Sequence, residues 1–374
     1  MPDLQAAIRV ISDSAEFRDI HKLWDGLVRD HSENPFLLAG FVREFMELRR
    51  SNHWQPLLLV LSVHGAPIGV MPLATKRMGG LPFVEFLLPP QYGPDLLVSD
   101  RFRELSVNSV LRFLFHTLHF QFLHLVLPAE SPNLPILRMM CKQTRVRMCE
   151  GKRSAHYVLS IHESWTEFES LRGSNFRRQF KRIVRNLDRA GSWTIIGIDD
   201  PADQQDLTKR ILDVEHRSWK EDWRRRSRRD ADGSLLSICR PLQHVSGRAA
   251  GFHCKIWFLE LNSETIAYNL VLQSNQSAFM AKMSFDERFR NLYPGVFLAN
   301  HAIRDIFNAQ TARSIDFLTS WPFLRRWAPV SMGRVELCIC RKGILPTILA
   351  SIMMMAWNSV SRGSIEILHR DILE

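Results

Sequence analysis

Two stretches of this chain overlay on one another. Leu57–Leu73, LLLVLSVHGAPIGVMPL, and Ile256–Leu272, IWFLELNSETIAYNLVL, are each an apolar strand, a polar turn and a second apolar strand. Each hairpin also holds the same place in a longer order. In the first half, Ser14–Asp30 has helical spacing (Phe17, Ile20, Leu23, Trp24, Leu27), and Asn34-Pro35 opens a second helix to about Leu48. Strands at Pro56–Val63 and Pro67–Ala74 follow, joined by His64-Gly65-Ala66, then a strand Pro82–Leu88 that stops at Pro89-Pro90. A helix at Phe102–Leu118, a buried strand at Phe122–Leu127, a short helix at Ser131–Cys141 and a strand at His156–Ile161 complete this half.

The second half begins with Ser174 or Asn175 as the cap of a helix that stops at Gly191. Its Phe176, Phe180, Ile183, Val184 and Leu187 share one face. A helix at Asp203–Trp223, strands at Lys255–Leu261, Thr265–Gln273 and Ala278–Phe285, a helix from Pro294 with Val296, Ala299, Ala302, Ile303, Ile306 and Phe307 inward, and a strand at Ser314–Leu318 come next. Helices, antiparallel strands, helix, strand therefore occurs twice. This predicts a duplicated α/β (α+β) fold: domains at 1–160 and 161–335, each a mostly antiparallel sheet flanked by helices, with 336–374 adding a strand and a helix to the core. A length of 374 residues is right for two cores.

Hydrophobic residues at 45% and charged residues at 24% make an ordinary globular balance, with no long tract of disordered composition. Six cysteines scattered from Cys141 to Cys340 are too sparse for a disulfide scaffold, and Met1–Val10 lacks the apolar core of a secretory signal, so a reducing cytoplasm is expected. The run Ile344–Trp357 is shorter than the roughly 20 residues of a spanning helix and contains Pro346, so it reads as a packed terminal helix, and no transmembrane segment is expected. The net charge of +10 is concentrated in Arg172–Arg189 and Arg224–Arg229, a field that attracts phosphates, nucleic acid or anionic head groups, so peripheral membrane contact is open.

The stretch Lys282–Leu298, KMSFDERFRNLYPGVFL, carries the most chemistry: a strand, an aspartate at its end, a polar loop through Asn291, then Pro294-Gly295-Val296 opening a helix. A helix N-terminus offers unpaired N–H groups and partial positive charge, and glycine allows close approach, so a pyrophosphate can dock there; the same Pro-Gly can also simply turn the chain into the helix. No Walker loop, no Gly-x-Ser-x-Gly elbow and no paired Cys-x-x-Cys motifs occur, and His116, His119 and His124 lack a fourth donor at metal-site spacing, so no metal is expected.

The same pieces resemble a GNAT-fold acetyltransferase family, FemAB-like and related to proteins linked to cellulose and exopolysaccharide production. Phe285-Asp286 followed by Pro294-Gly295 matches the family's aromatic-Asp and Pro-Gly pair. Arg172–Ile183, RGSNFRRQFKRI, is similar to its basic helix, Ser218-Trp219-Lys220 to its Ser-Trp-Lys element, and Ser314-Ile315-Asp316-Phe317 to its strand ending in aspartate. The resemblance covers about residues 10 to 335 and implies two tandem GNAT-like (acyl-CoA N-acyltransferase) domains, the first degenerate. It further implies an acyltransferase that moves an acyl group from acyl-CoA, as acetyl-CoA, to an amine of a small molecule, amino sugar or exopolysaccharide precursor.

Site residues follow on that footing. Asp286 and Asp316 are expected as acidic partners of the amine, or else as a helix cap or arginine pair. Tyr293 either protonates the leaving thiolate or packs. Asn291, Pro294, Gly295 and Val296 would bind the carrier. Arg178 and Arg182, with Arg177, Lys181, Arg185 and Arg189, would meet CoA phosphates, tRNA or an anionic glycan, or form a solvated face. Trp219 and Lys220 read as core and solvated residues unless they lie by the acceptor pocket, and Arg224–Arg229 as a basic loop.

The chain departs from the family where an aromatic-lysine pair should follow the strand aspartate. Thr319–Trp327 contains no lysine, Leu324 takes its place, and Arg325 or Arg326 is left to supply the charge and meet the substrate. This implies an unusual substrate, reduced activity or a catalytically silent binding protein. A FemAB-like enzyme drawing on aminoacyl-tRNA is the alternative that accounts for the arginine excess.

Overall fold

The computed structural model describes residues 6–78, 80–144, 146–200, 204–219, 252–274 and 276–343. Lys220, the run Arg224–Arg229 and the expected terminal helix Ile344–Trp357 lie outside these residues. The chain divides into two compact units: Tyr157–Ser331 is the second, and the chain before it, joined by the chain from Met332, is the first.

In the first unit the strand order is β1-β2-β3-β4-β6-β13, with β5 on β3. The strands are β1 (Ala7–Ile11), β2 (Gln55–Val63), β3 (Ala66–Met78), β4 (Leu81–Phe86), β5 (Leu97–Val98), β6 (Phe122–Pro128) and β13 (Val330–Arg341). β4 and β6 pair in parallel, from Phe83↔Phe122 to Glu85↔His124. A parallel pair needs a crossover, and α4 (Arg103–Arg112) lies in it. One face buries Leu59, Leu61, Leu125 and Leu337 against Val107 and Leu111 of α4 and Leu137 of α5 (Asn133–Gln143). His124 is held in a buried pair, its Nε2 2.7 Å from Glu336 Oε1. The helices α1 (Ser14–Asp19), α2 (His21–His31) and α3 (Ala39–Ser51) lie between β1 and β2, and Trp24 Nε1 donates to the Leu37 carbonyl at 2.8 Å.

The second unit has the same plan. Its order is β8-β9-β10-β11-β12, with β12 pairing residues 158–160 of β7 (Val146–Ser160). The strands β8 (Trp193–Asp199), β9 (His253–Leu261), β10 (Glu264–Gln273) and β11 (Ser277–Phe285) are antiparallel neighbours. β12 (Ser314–Asp316) runs parallel to β11, and α9 (Pro294–Ala309) makes the crossover. Helices α6 (Trp165–Leu171), α7 (Gly173–Ala190) and α8 (Gln204–His216) complete the unit.

Side chains alternate across β10. Ala267 and Val271 join the core made with Ala299, Ala302, Ile303 and Phe307 of α9 and with Phe180 and Ile183 of α7, whereas Tyr268 meets α8 by donating to Glu215 Oε1 at 2.6 Å. On α7 the predicted apolar positions Phe176, Phe180, Ile183 and Leu187 are buried, and Arg178, Lys181, Arg182, Arg185 and Arg189 are exposed. β1 and β8 have no counterpart in the sequence reading. Both are the outer strands of their units, where short, half-exposed segments carry little apolar signal. Among the described residues no helix is long and apolar enough to cross a membrane.

Phe307 anchors α9, 1% exposed, with its ring centroid 4.8 Å from Phe168 and 5.6 Å from Trp165. Phe307→Ala is expected to destabilise the protein by about 3–5 kcal/mol in urea unfolding. The exposed Leu171→Ala control should shift it by less than about 0.5 kcal/mol.

Candidate carrier-binding site

Where β11 ends, the chain makes a 3-10 turn at Glu287–Leu292, reaches Tyr293 with a left-handed φ of 54°, and enters α9 at Pro294. Pro294 has no N–H to leave unpaired, and its fixed φ suits a first helical residue. The Phe297 N–H returns to the Tyr293 carbonyl at 3.0 Å. The N–H groups of Gly295 and Val296 have no acceptor among the described residues, and no acidic residue occupies the first turn of α9. Gly295 suits the close packing here, because a Cβ there would stand 3.0 Å from Phe285 Cδ1 and push that ring by a few tenths of an ångström. The result is a bare helix N-terminus whose backbone a phosphate can approach.

Arg326 sits beside this turn. Its Nε donates to the Phe323 carbonyl at 2.8 Å, but its Nη1 is sealed from solvent and has no hydrogen-bond partner among the described residues. Burial pushes its pKa down, with the neighbouring Tyr293 acting in the opposite sense. A guanidinium left with an unmet donor beside an unpaired helix terminus calls for an anion. The turn that carries it, Pro322–Trp327, is locked by Trp327, which is fully buried and donates from Nε1 to Asn300 Oδ1 at 3.1 Å on α9.

A strand irregularity lies nearby. The parallel register of β11 with β12 stops at Phe279↔Asp316, and just beyond it Ala281 is an extra residue in the pairing with β10, because Leu270 faces Lys282 while Val271 faces Met280. The two parallel strands thus part where β11 is bulged, which disrupts its ladder.

The expected site residues fall in several places. Asp286 sits in the arginine pair that the sequence left open as its alternative. It is fully buried, Arg217 Nε lies 2.7 Å from Oδ2, Arg288 Nη2 donates to Oδ2 at 2.6 Å, and Oδ1 accepts from the Arg288 N–H at 3.0 Å. Burial raises its pKa, but the Arg288 hydrogen bonds and the two cationic charges outweigh this and hold it below the ordinary carboxylate range. A carboxylate so occupied does not take a proton from an amine at neutral pH.

Asp316 ends β12, and its Oδ1 accepts from the Leu318 N–H at 2.7 Å. Tyr293 is 46% exposed at the turn. Asn291 is exposed on the 3-10 turn before it. Arg325 is exposed, and its Nε donates to the Tyr157 hydroxyl at 2.9 Å. Leu324 is fully buried, so a charge at its position would enter the core. Trp219 is half-buried with its ring centroid 5.6 Å from that of Trp321. Arg178 is tied to its own helix through Asn175 Oδ1 at 2.7 Å, and Arg182 is exposed on the next turn. Arg217 and Tyr157 have no local sequence signal, because their partners are distant in the chain.

The first unit lacks this site at the equivalent place. The approach to its crossover helix carries Asp100, paired with Arg103, and Glu104 stands in the first turn, charges that repel a phosphate. Beside its parallel pair the space between Phe86, Leu123, Leu125 and Leu127 is a cavity of about 10 Å³, room for no more than one water.

Asp286→Asn should destabilise the protein by about 1–3 kcal/mol near neutral pH, as hydrogen bonds to charged groups are lost. A carboxyl with a lowered folded pKa contributes fully above the unfolded value of about 3.9 and loses that contribution as pH falls through the folded one. The gap in urea midpoint between wild type and Asp286→Asn should therefore narrow below about pH 4.

Residues 174–322 match the acetyltransferase (GNAT) domain family. No curated protein matches the chain. Among solved structures it is similar to FemX (10% identity, 88% of this chain and 96% of that one, TM-score 0.57). It is also similar to L-PGS from Bacillus licheniformis (9% identity, 94% and 97%, TM-score 0.55). A third is a conserved protein of unknown function from Bacteroides thetaiotaomicron (11% identity, 90% and 100%, TM-score 0.53). At such identities these similarities concern the fold. The matched segment holds α7, β8–β12 and the bare turn of α9, and the first unit repeats its plan, so the chain has a fold of two GNAT-like units in tandem, the second of which carries the match to the acetyltransferase (GNAT) domain family.

Proposed function

We propose that the second unit transfers an acyl group from a phosphate-bearing thioester, acyl-CoA, to a primary amine of a small molecule, amino sugar or exopolysaccharide precursor. The observation that carries this reading is the pair of unpaired N–H groups at Gly295 and Val296 beside the unmet Nη1 of Arg326. The two N–H groups offer donors to a pyrophosphate, and the Arg326 guanidinium, whose Nη1 is closed to solvent, adds a positive field. Asn291 lines the approach. The bulge at Ala281 lies where the strands part, and its disturbed ladder offers backbone donors to the oxyanion of the tetrahedral intermediate. Holding the thioester and the amine together there supplies much of the rate. The acceptor binds as an ammonium beside Asp316 and loses one proton to water, and the free amine attacks the thioester carbon. As the C–S bond breaks, Tyr293, exposed at the carrier turn, protonates the thiolate and regains a proton, through water, from the nitrogen that becomes the amide, while Asp286 holds the end of α8 to the turn. Trp219 and Trp321 form an aromatic wall for the acceptor.

A second reading is favoured by the exposed basic face of α7, where Arg178, Lys181, Arg182, Arg185 and Arg189 suit a polyphosphate. On that reading the donor is an aminoacyl-tRNA, and the same transfer to an amine follows.

Thermal unfolding with acetyl-CoA or with bulk tRNA separates the two. A ligand held at 100 times its Kd stabilises the native state by about 2.7 kcal/mol. Acetyl-CoA should raise the Tm of wild type and of the doubly substituted Arg178→Gln, Arg182→Gln protein, and fail to raise that of Arg326→Gln. A shift with tRNA alone would favour the second reading, and no shift with either would contradict both.

A further inference from the structure

The second unit contains another pocket, of about 320 Å³, at the far end of α9 from its N-terminus. The helix runs for 16 residues, roughly 24 Å at 1.5 Å per residue, so this pocket is separate from the carrier turn. Its floor is apolar, formed by Trp257 and Val271 of the sheet and Ile306 and Ala309 of α9. Its rim is acidic in a chain of net charge +10: Asp199 at the end of β8 and Asp305 on α9 pair with Lys255, and Asp200 lies 3.6 Å from His253.

Lys255 shows what the rim holds. Its ammonium lies 2.9 Å from Asp305 Oδ2, 3.2 Å from Asp199 Oδ1 and 5.3 Å from the centroid of the Trp257 ring. Two carboxylates and an aromatic face converge on one point, an environment suited to a primary ammonium. Lys255 fills it as a tethered occupant with a third of its side chain exposed.

A second observation is independent of these charges. Trp257 is 2% exposed and lines the pocket, yet its indole N–H has no acceptor among the described residues and is not among the polar atoms sealed from solvent. Gly197 keeps the space beside it open: a Cβ there would stand 3.7 Å from both Trp257 Nε1 and Lys255 Cε, and a longer side chain would fill the gap. The pocket therefore sets an unmet donor next to the ammonium position, over an apolar floor of the kind that small-molecule sites use.

We propose that this pocket is a second, non-catalytic binding site for a small amino alcohol, an amino sugar being the largest that fits. The ligand's ammonium would take the place of the Lys255 ammonium between Asp305 and Asp199, and its hydroxyl would accept from Trp257 Nε1. The site stands whether or not the unit transfers acyl groups, because binding alone tests it.

Calorimetric titration of the full chain with glucosamine, ethanolamine and, as the uncharged control, glucose is the experiment. Glucosamine and ethanolamine should bind saturably and glucose should not. Asp305→Asn should weaken binding by about tenfold, and Lys255→Met should tighten it about threefold or more by removing the tethered competitor. Lys255→Gln serves as the conservative version should Lys255→Met unfold. Arg326→Gln, at the opposite end of α9, should leave binding unchanged. Absence of saturable heat up to about 20 mM glucosamine and ethanolamine with wild type and a folded Lys255 variant would overturn the proposal. Binding that survives Asp305→Asn but disappears with Arg326→Gln would also overturn it, placing the amine at the carrier end.

Discussion

β11 and β12 are parallel neighbours, and two parallel strands cannot be joined by a tight turn. The chain has to leave the end of β11, cross one face of the sheet and return, and α9 is that crossing. Much else in the second unit follows. The N-terminus of α9 must stand at the end of β11, so its unpaired N–H groups are placed there by topology before any side chain is chosen. The return strand pairs over three residues only and then departs, leaving the bulged part of β11 beside an opening. Gly295 and Phe285 are matched to the close approach this geometry forces, and the buried Trp327 fastens the following turn back onto α9 so that Arg326 is held beside Tyr293.

The first unit obeys the same constraint with a different outcome. β4 and β6 form its parallel pair and α4 lies in the crossing, but leucines and Phe86 occupy the space beside the strands. Acidic groups take the helix approach in place of Pro-Gly. Duplicated topology therefore produces two equivalent positions of which one is filled with core. That difference lies in side chains, whereas the plan itself lies in the order of elements.

The plan was legible for that reason. The periodicities of α7 and α9, the two hairpins and the Pro-Gly turn are local signals, and each helix buries the face its spacing indicates. Outer strands β1 and β8 were not legible, being too short and too exposed to show a pattern. At the site, the partners of Asp286 were out of reach. Arg288 lies two residues away and could be guessed, but Arg217 comes from the end of α8, and only the fold joins them. The same holds for the position of the expected lysine. By alignment with the family Leu324 looks like a lost charge, yet it is a core residue, and the cation that reaches the turn is Arg326.

The central claim is that backbone N–H groups at the start of α9, rather than the basic surface, hold the donor's phosphates. Val296→Pro tests it most directly, because it deletes one of those N–H groups, changes no charge, and falls in the first helical turn, where proline costs no intrahelical hydrogen bond. Calorimetric titration of CoA into wild type should give saturable binding, and into folded Val296→Pro protein binding weaker by about tenfold or more. Undiminished affinity in the variant would contradict the account.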